Sequence, residues 1–361
     1  MADRKPARAL FIGLAAYGAH GGIQRFNRRV VDALARSDVQ ASALFLADDT
    51  QACLAAAPAQ VSVEGASGRR GPFLRRFLAR SRSVDVLFVG HINLLPFAVL
   101  FRLLRPKTRV ILFAHGVEIW GDPAYRSPRK WEPRALRFAV DKVAIVSAYS
   151  RDLMGRAFAY PLSRFSLFPN AVDLQPRKEQ ERPGRTVLTV SRLAASEREK
   201  HIDKLIRAMP AVLERVPDAR LAIIGDGALR AELEALAGTQ GVVGNVDFLG
   251  FVSDEELSRA YDEAAVFALP SSKEGFGIVY LEAWLRGLPV IGSQFGAAAE
   301  VIADGRDGFT VNPEEIDGVA DAMATLLTDR ERAADFAAAG RTKVEEKYSF
   351  ERFTHNLQAL F

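Results

Sequence analysis

Apolar residues in this chain fall into short continuous runs, separated by longer segments in which they return every three or four positions. The first half carries such runs at Ala9–Leu14, Ala41–Leu46, Val84–Val89, Arg109–Ala114 and Lys142–Ser147. The second half carries them at Thr186–Val190, Arg220–Ile224, Val246–Leu249, Ala264–Leu269, Pro289–Gly292 and Gly308–Val311. Runs of this kind suit strands buried on both faces, and helical spacing between them suits crossover helices. The pattern therefore predicts βαβ units and parallel sheets. Between the halves, Leu174–Arg185 is polar and holds two prolines, the strongest linker signal in the sequence. The reading is an α/β protein of two doubly wound, Rossmann-like domains, 1–175 and 176–345, facing a cleft. A final helix near Phe350–Phe361, within 346–361, is expected to cross back to the first domain.

One stretch concentrates chemistry. After the apolar run Ala264–Leu269, Ser271-Ser-Lys-Glu-Gly275 makes a polar turn, and Phe276–Arg286 reads as a helix closed by Gly287 and Pro289. The start of such a helix offers unpaired N–H groups and a positive dipole end, which suit a phosphate or sugar oxygen. Glu274 stands at the mouth of that position, and Glu282 one to two turns inside. Seven residues separate the two carboxylates.

Composition narrows the classes. With 361 residues, 49% of them apolar, the chain is long enough for two cores. Its single cysteine, Cys53, excludes a disulfide framework and any cysteine-based zinc site. No apolar run approaches the roughly 20 residues of a membrane-spanning helix. The opening Met1–Arg8 leads into Ala9–Gly13, which reads as a first strand and not as a signal peptide. His20, His91, His201 and His355 form no metal-ligand spacing with one another or with Cys53, so no bound zinc is expected.

Charge is divided unequally. Residues 1–178 hold 28 Lys+Arg against 13 Asp+Glu, a net +15, and residues 179–361 hold 20 against 31, a net −11. A basic half suits anionic lipid, nucleic acid or a phosphorylated acceptor. Gly68–Arg82 holds six arginines and no acid, with Phe73, Leu74, Phe77 and Leu78 on one helical face. That face is expected to lie on an anionic bilayer, the alternative being an ordinary sheet-packing helix. Phe101–Arg109 has a similar character. Aromatic residues are not interleaved with the arginines as base stacking requires, so nucleic acid is not expected.

Several loops follow strands and carry candidate ligand groups. Gly21-Gly22 opens the helix Ile23–Leu34 and would allow close backbone approach, although a plain tight turn accounts for the same pair. Gly225-Asp226-Gly227 nearly matches Gly-x-Gly-x-x-Gly, but Arg230 replaces the third glycine, which argues against a nicotinamide-nucleotide turn. Arg192 and Lys200 flank the end of another strand, where a forked guanidinium and a point charge suit a diphosphate; solvated surface cations are the bland alternative. His115 ends an apolar run before Gly116. It suits contact with sugar hydroxyls or proton transfer, or else a backbone-bonded structural role.

Together these motifs resemble the retaining glycosyltransferases of family 4, which have the GT-B fold. The most specific match is Ser272-Lys-Glu274-Gly-Phe-Gly277-Ile-Val-Tyr-Leu-Glu282, the family's Glu-x7-Glu signature. Supporting matches run through Gly21-Gly22-Ile-Gln-Arg25, His115-Gly-Val-Glu118, Val146–Ser150, Pro169–Asp173, Ser191-Arg192-Leu193 with Lys200, Gly225-Asp226-Gly227 and Phe248-Leu249-Gly250. The resemblance implies that Arg192 and Lys200 hold the donor diphosphate. It gives Glu274, beside the amides of Gly275, Phe276 and Gly277, the donor sugar, and Glu282 the ribose. Gly21 and Gly22 would line the phosphate side, and His115 would face the sugar or the acceptor.

The implied activity is hexosyl transfer from a UDP- or GDP-sugar, without metal or other cofactor, to a lipid-linked or membrane glycan. The expected location is cytoplasmic, peripheral at the inner face of the cell membrane. Two departures stand out: His201 follows Lys200 where the family often has glycine, and Ala171 replaces the glycine of Asn-Gly-Val-Asp. A nucleotide-sugar epimerase of the same architecture, acting without an acceptor, is the alternative.

Overall fold

The computed structural model describes residues 6–18, 21–123, 125–176 and 184–361. Residues 177–183 of the polar linker segment, and Ala19 and His20 of the first strand–helix turn, lie outside the described residues. The chain divides into two compact units, residues 1–170 with 350–361, and residues 171–349. These divisions fall at 170/171 and 349/350, a few residues from the sequence-based boundaries at 175/176 and 345/346.

The first unit is built on seven strands: β1 (Ala7–Gly13), β2 (Val39–Phe45), β3 (Ser62–Gly65), β4 (Val86–Val89), β5 (Arg109–Ala114), β6 (Lys142–Ile145) and β7 (Phe165–Leu167). Their order is β3-β2-β1-β4-β5-β6-β7, with every pairing parallel. The apolar pattern located the five inner strands but not β3 or β7, which are the two edges. Edge strands bond on one side only and tolerate short, polar sequences such as Ser62-Val-Glu-Gly65 and Phe165-Ser-Leu167.

Phenylalanine rings fill this core. Phe11 meets Phe45 and Phe113 edge-on at 5.7 and 6.2 Å, and Phe26 meets Phe113, Phe168 and Phe353 at 5.2, 6.0 and 5.5 Å. Phe353 belongs to the final helix, Phe350–Gln358, which thereby joins the first unit. Arg109 on β5 adds a hydrogen bond to the Leu360 carbonyl at 3.1 Å.

The arginine-rich helix, Arg70–Ser81, corrects the expectation of a bilayer-facing apolar side. Phe73 and Phe77 are wholly buried and pack on Phe97 at 4.8 and 5.3 Å. Arg76 and Arg80 pair with Glu64 on β3 at 3.4 and 2.6 Å. Its apolar face is core, and only Leu74 of the four is exposed.

The second unit carries β8 (Thr186–Val190), β9 (Arg220–Ile224), β10 (Val246–Gly250), β11 (Val266–Ala268), β12 (Val290–Ser293) and β13 (Gly308–Val311). Their order is β10-β9-β8-β11-β12-β13, again all parallel. Trp284 anchors the core with no exposed surface; its indole N–H donates to the Asp307 carbonyl at 2.8 Å. In each sheet the strand order reverses beside the first strand, between β1 and β4 and between β8 and β11. Loops leaving such a pair diverge to opposite faces, so a crevice opens at the carboxyl ends of the strands.

Candidate functional site

In the second unit the crevice is framed by the segment after β8 and the segment after β11. Ala195–Lys200 forms a short 3-10 stretch kinked at Glu197. Ser271–Glu274 lies opposite, and four contacts join the two. Lys200 Nζ donates to Glu274 Oε2 at 2.7 Å, and Lys273 Nζ to Glu199 Oε1 at 2.7 Å. His201 Nε2 lies 2.8 Å from Ser272 Oγ, and the Ser272 amide donates to the Glu199 carbonyl at 2.9 Å. Residues more than seventy positions apart are thus fixed side by side.

Glu197 ties in the remaining cation. Its carboxylate, 7% exposed, pairs with Arg192 through one oxygen and stands 3.8 Å from Lys200 through the other. A buried carboxylate persists only with partners of this kind. Burial works against the charge on Lys200, but Glu274, followed by Glu197, outweighs it and holds the ammonium above its ordinary range. An ammonium has three N–H donors, and carboxylates lie on two sides of this one. Arg192, with its side chain 76% exposed, presents most of its fork outward. The structure therefore brings Arg192, Lys200 and Glu274 together. Sequence reasoning missed Glu197, which lies three positions before Lys200 and had no motif of its own.

The helix after Glu274 begins later than the sequence suggested. It spans Ile278–Leu285, with Gly277 at its N-cap in the left-handed region (φ 88°, ψ 53°). A Cβ there would lie 2.4 Å from the Tyr280 ring, so both backbone and space demand glycine. Glu274, Gly275 and Phe276 accordingly form a turn ahead of the helix instead of its first residues. Glu282 lies on the second turn, half-buried. The Tyr280 hydroxyl, wholly buried, donates to the Leu269 carbonyl at 2.6 Å; burial pushes its ionisation well up.

Gly225 and Gly227 have a packing reason. A Cβ on Gly225 would sit 1.8 Å from the Ser191 carbonyl oxygen, and one on Gly227 2.5 Å from Leu193. The Leu193 amide also donates to the Asp226 carbonyl at 3.0 Å. The two glycines let this loop press against Ser191–Leu193 and so set where Arg192 emerges.

His201 occupies a left-handed conformation (φ 57°, ψ 37°), one of three non-glycine residues with positive φ among those described. This is the position where the family often has glycine. The chain accepts the strain and gains the contact to Ser272.

In the first unit the crevice loops follow β1, β4 and β5. Asp48, just beyond β2, is buried and accepts three backbone amides, Ala16 at 2.7 Å, Tyr17 at 2.9 Å and Gly18 at 3.0 Å. Asn27 adds a bond to the Ala15 carbonyl at 2.7 Å. These groups fix the backbone of Ala15–Gly18 after β1. Gly21 and Gly22 are exposed, and a Cβ on Gly22 would meet nothing within 4 Å.

His115 is half-buried, with Nε2 3.1 Å from the Gly90 carbonyl and its ring 4.6 Å from Phe26. Glu118 is buried and accepts the amides of His115 at 2.6 Å and Gly116 at 2.9 Å. His91 is buried beside them. Desolvation, with His115 and Arg126 and against Glu118, pushes it down to about 4. Asp48 and His91 escaped sequence reasoning because a lone polar residue at a strand end looks like any loop residue. Glu118 was visible only as a letter in His115-Gly-Val-Glu118.

Among the described residues, no three His, Cys, Asp or Glu side chains gather as metal ligands, and no helix is long and apolar enough to cross a membrane.

Two parallel Rossmann-like domains, each with a switch point at its own sheet, define the GT-B architecture, and comparison with known proteins agrees. The family described as Glycosyltransferase Family 4 matches residues 20–176, and Glycosyl transferases group 1 matches residues 173–343. The GDP-mannose-dependent alpha-(1-6)-phosphatidylinositol monomannoside mannosyltransferase of Mycobacterium tuberculosis is 33% identical over 307 residues, covering 79% of this chain and 77% of that protein. The corresponding monoacylated-substrate enzyme of Corynebacterium glutamicum is 31% identical, covering 78% of each. Anabaena HepE, solved with UDP and glucose, superposes with a TM-score of 0.76 over 98% of both chains at 19% identity, which shows the shared fold. The chain belongs to the family-4 glycosyltransferases of GT-B fold, and it is a glycosyltransferase.

Proposed function

We propose that this glycosyltransferase moves a hexose from a nucleotide diphosphate-sugar to a hydroxyl of a lipid-linked or membrane glycan acceptor, with retention of the anomeric configuration. The observation that carries this reading is the convergence of Lys200, Arg192 and Glu274 around the buried Glu197. Breaking the sugar–phosphate bond builds negative charge on the departing diphosphate and positive charge on the sugar. Arg192, Lys200 and the amides at the start of helix Ile278–Leu285 are placed to stabilise the first, and Glu274 to grip the second. On this reading the fixed cations act without a metal ion. The proton of the attacking hydroxyl passes to a donor phosphate oxygen on the same face.

The four side chains sum to zero charge. A bound diphosphate therefore competes with Glu197 and Glu274 for the cations, and Glu274 is released toward the sugar hydroxyls. Gly22, whose missing side chain no packing contact explains, suits the phosphate side of the donor, and His115 the sugar or acceptor. GDP-mannose is the first donor to test, since two curated relatives are named for it; UDP-sugars come next. The enzyme would work at the inner face of the cell membrane.

The test is a thermal-shift screen of nucleotide diphosphate-sugars, followed by transfer to polyprenyl- or phosphatidylinositol-linked acceptors with the product anomer read by NMR. One donor should raise Tm by mass action and yield product of unchanged configuration. Inversion, or conversion of the donor with no acceptor present, overturns the reading.

A further inference from the structure

We infer that the groove between helices Leu95–Leu104 and Glu132–Ala139 of the first unit is the surface by which this protein docks on an anionic lipid bilayer. The groove, about 550 Å³, is lined by Pro96, Val99, Trp131, Arg134, Ala135 and Phe138. Trp131, Arg134, Ala135 and Phe138 follow the three- and four-residue spacing of one helix face, and Leu103 continues the row of Pro96 and Val99. Large apolar groups stand open along both rows: Leu103 is 66% exposed, Phe138 52% and Trp131 39%. Scattered singly such residues need no explanation, but gathered along one groove they mark an interaction surface.

Charge selects the occupant. Residues 95–110 and 125–141 hold nine Arg and Lys and two carboxylates, Glu132 and Asp141. Glu132 is 1% exposed and is consumed internally, pairing with Arg126 and accepting the Arg129 amide at 2.8 Å. Asp141 is half-exposed and is spent on Arg102, so the two acids offset two of the cations, and the exposed Lys107, Arg129, Lys130, Arg134 and Arg137 leave the rim net cationic. A second copy of this face would set cation against cation. A lipid bilayer supplies both missing halves, phosphate headgroups for the rim and acyl chains for the floor, and an indole beside arginines suits that boundary. The arginine-rich helix Arg70–Ser81 cannot serve, because Phe73 and Phe77 are committed to the core.

This deepens the reading of a membrane-borne acceptor, and the assay separates the two by using vesicles that contain no acceptor. The chain has three tryptophans, of which Trp120 and Trp284 are 7% and 0% exposed, so quenching by brominated acyl chains reports on Trp131. The full chain should float with phosphatidylglycerol-containing vesicles at low salt, not with phosphatidylcholine alone, and its fluorescence should be quenched. Leu103→Ser with Phe138→Ser should weaken binding at least about tenfold. Lys130→Glu with Arg134→Glu should do the same, while Arg70→Glu with Arg75→Glu should have little effect.

A donor-dependent thermal shift in each variant confirms that it is folded. Flotation without quenching, binding abolished by the Arg70 and Arg75 changes, a dimer that Leu103→Ser with Phe138→Ser dissolves, or equal binding to single-stranded oligonucleotide would each overturn the inference. Loss of docking with transfer intact to a soluble acceptor leaves the proposed chemistry standing.

Discussion

The two units hold their crevice loops by opposite means. In the first, buried acids grip backbone amides: Asp48 takes those of Ala16, Tyr17 and Gly18, and Glu118 those of His115 and Gly116. In the second, acids grip cations: Glu274 takes Lys200, Glu199 takes Lys273 and Glu197 takes Arg192. The first unit thus uses key acids in shaping loops and carries an excess of cations, with 27 Lys+Arg against 13 Asp+Glu and a net +14. The second, at 21 against 31 and a net −10, keeps its crevice cations paired with acids. One unit offers preset backbone and a net positive charge; the other offers cations held in ion pairs, which on the proposed reading a bound diphosphate would release. On the proposed reading, a donor with both a sugar and a diphosphate would use the second kind of site, and a lipid surface the first kind of exterior.

The sharpest way to break this contrast is to remove a paired cation. Lys200→Ala should lower kcat/KM for transfer by roughly a thousandfold, in the range for a lost group that stabilises developing charge. Glu274→Ala should do comparable damage, and both proteins should remain folded by circular dichroism. Turnover within a few-fold of normal in either variant would mean that these pairs are surface ornament and that the chemistry lies elsewhere.

Next in size is the amide clamp of the first unit. Asp48→Ala removes a buried carboxylate that accepts three backbone N–H groups, that of Ala16 buried and those of Tyr17 and Gly18 part-buried. The unit should lose about 3 kcal/mol of stability, read by urea unfolding. Melting within a degree or two of wild type would show that the loop is held by its own packing and not by Asp48.

Much of this architecture was legible in the sequence, and the gaps have physical causes. All eleven strands with a dense apolar run were found, while β3 and β7 were not, since an edge strand with one partner needs no such run. Arg192, Lys200 and Glu274 were singled out because chemistry selects their residue types and motifs mark their positions, and the structure places them side by side. Glu197 and Asp48 were missed because their role exists only in three dimensions, where each collects partners from distant or unremarkable positions. The Arg70–Ser81 helix misled for a related reason: an amphipathic pattern states that one face is covered without saying by what. Here Phe97, not lipid, covers it.

A pH titration separates the units further. His91 is buried neutral and its ionisation is pushed from 6.5 down to about 4. The unfolded chain therefore binds a proton first. Stability from this group is fully present above pH 6.5 and is lost as pH falls toward about 4. The loss approaches roughly 3 kcal/mol at most, with neighbouring carboxylates adding their own slopes. His91→Asn, which keeps an acceptor for the Asn93 amide, should flatten that part of the profile. Lys200 has the opposite sign. Its raised value means that its contribution is complete below its ordinary 10.5 and fades only at more alkaline pH. An unchanged acid slope in His91→Asn would return the effect to other groups.

The smallest expected effect tests the one strained residue at the second unit's crevice. At His201 two terms oppose each other: a left-handed backbone costs a histidine about 1 kcal/mol, and the contact to Ser272 Oγ at 2.8 Å returns a similar amount. His201→Gly relieves the first and forfeits the second, while adding flexibility to the unfolded chain, so its Tm should stay within a few degrees of wild type. His201→Ala keeps the strain and loses the contact, and should melt lower than either. If alanine and glycine behave alike, the backbone there is not strained in solution. The position would then be set by the Ser272 contact alone, and the joining of Ala195–Lys200 to Ser271–Glu274 would rest on the ion pairs Lys200–Glu274 and Lys273–Glu199.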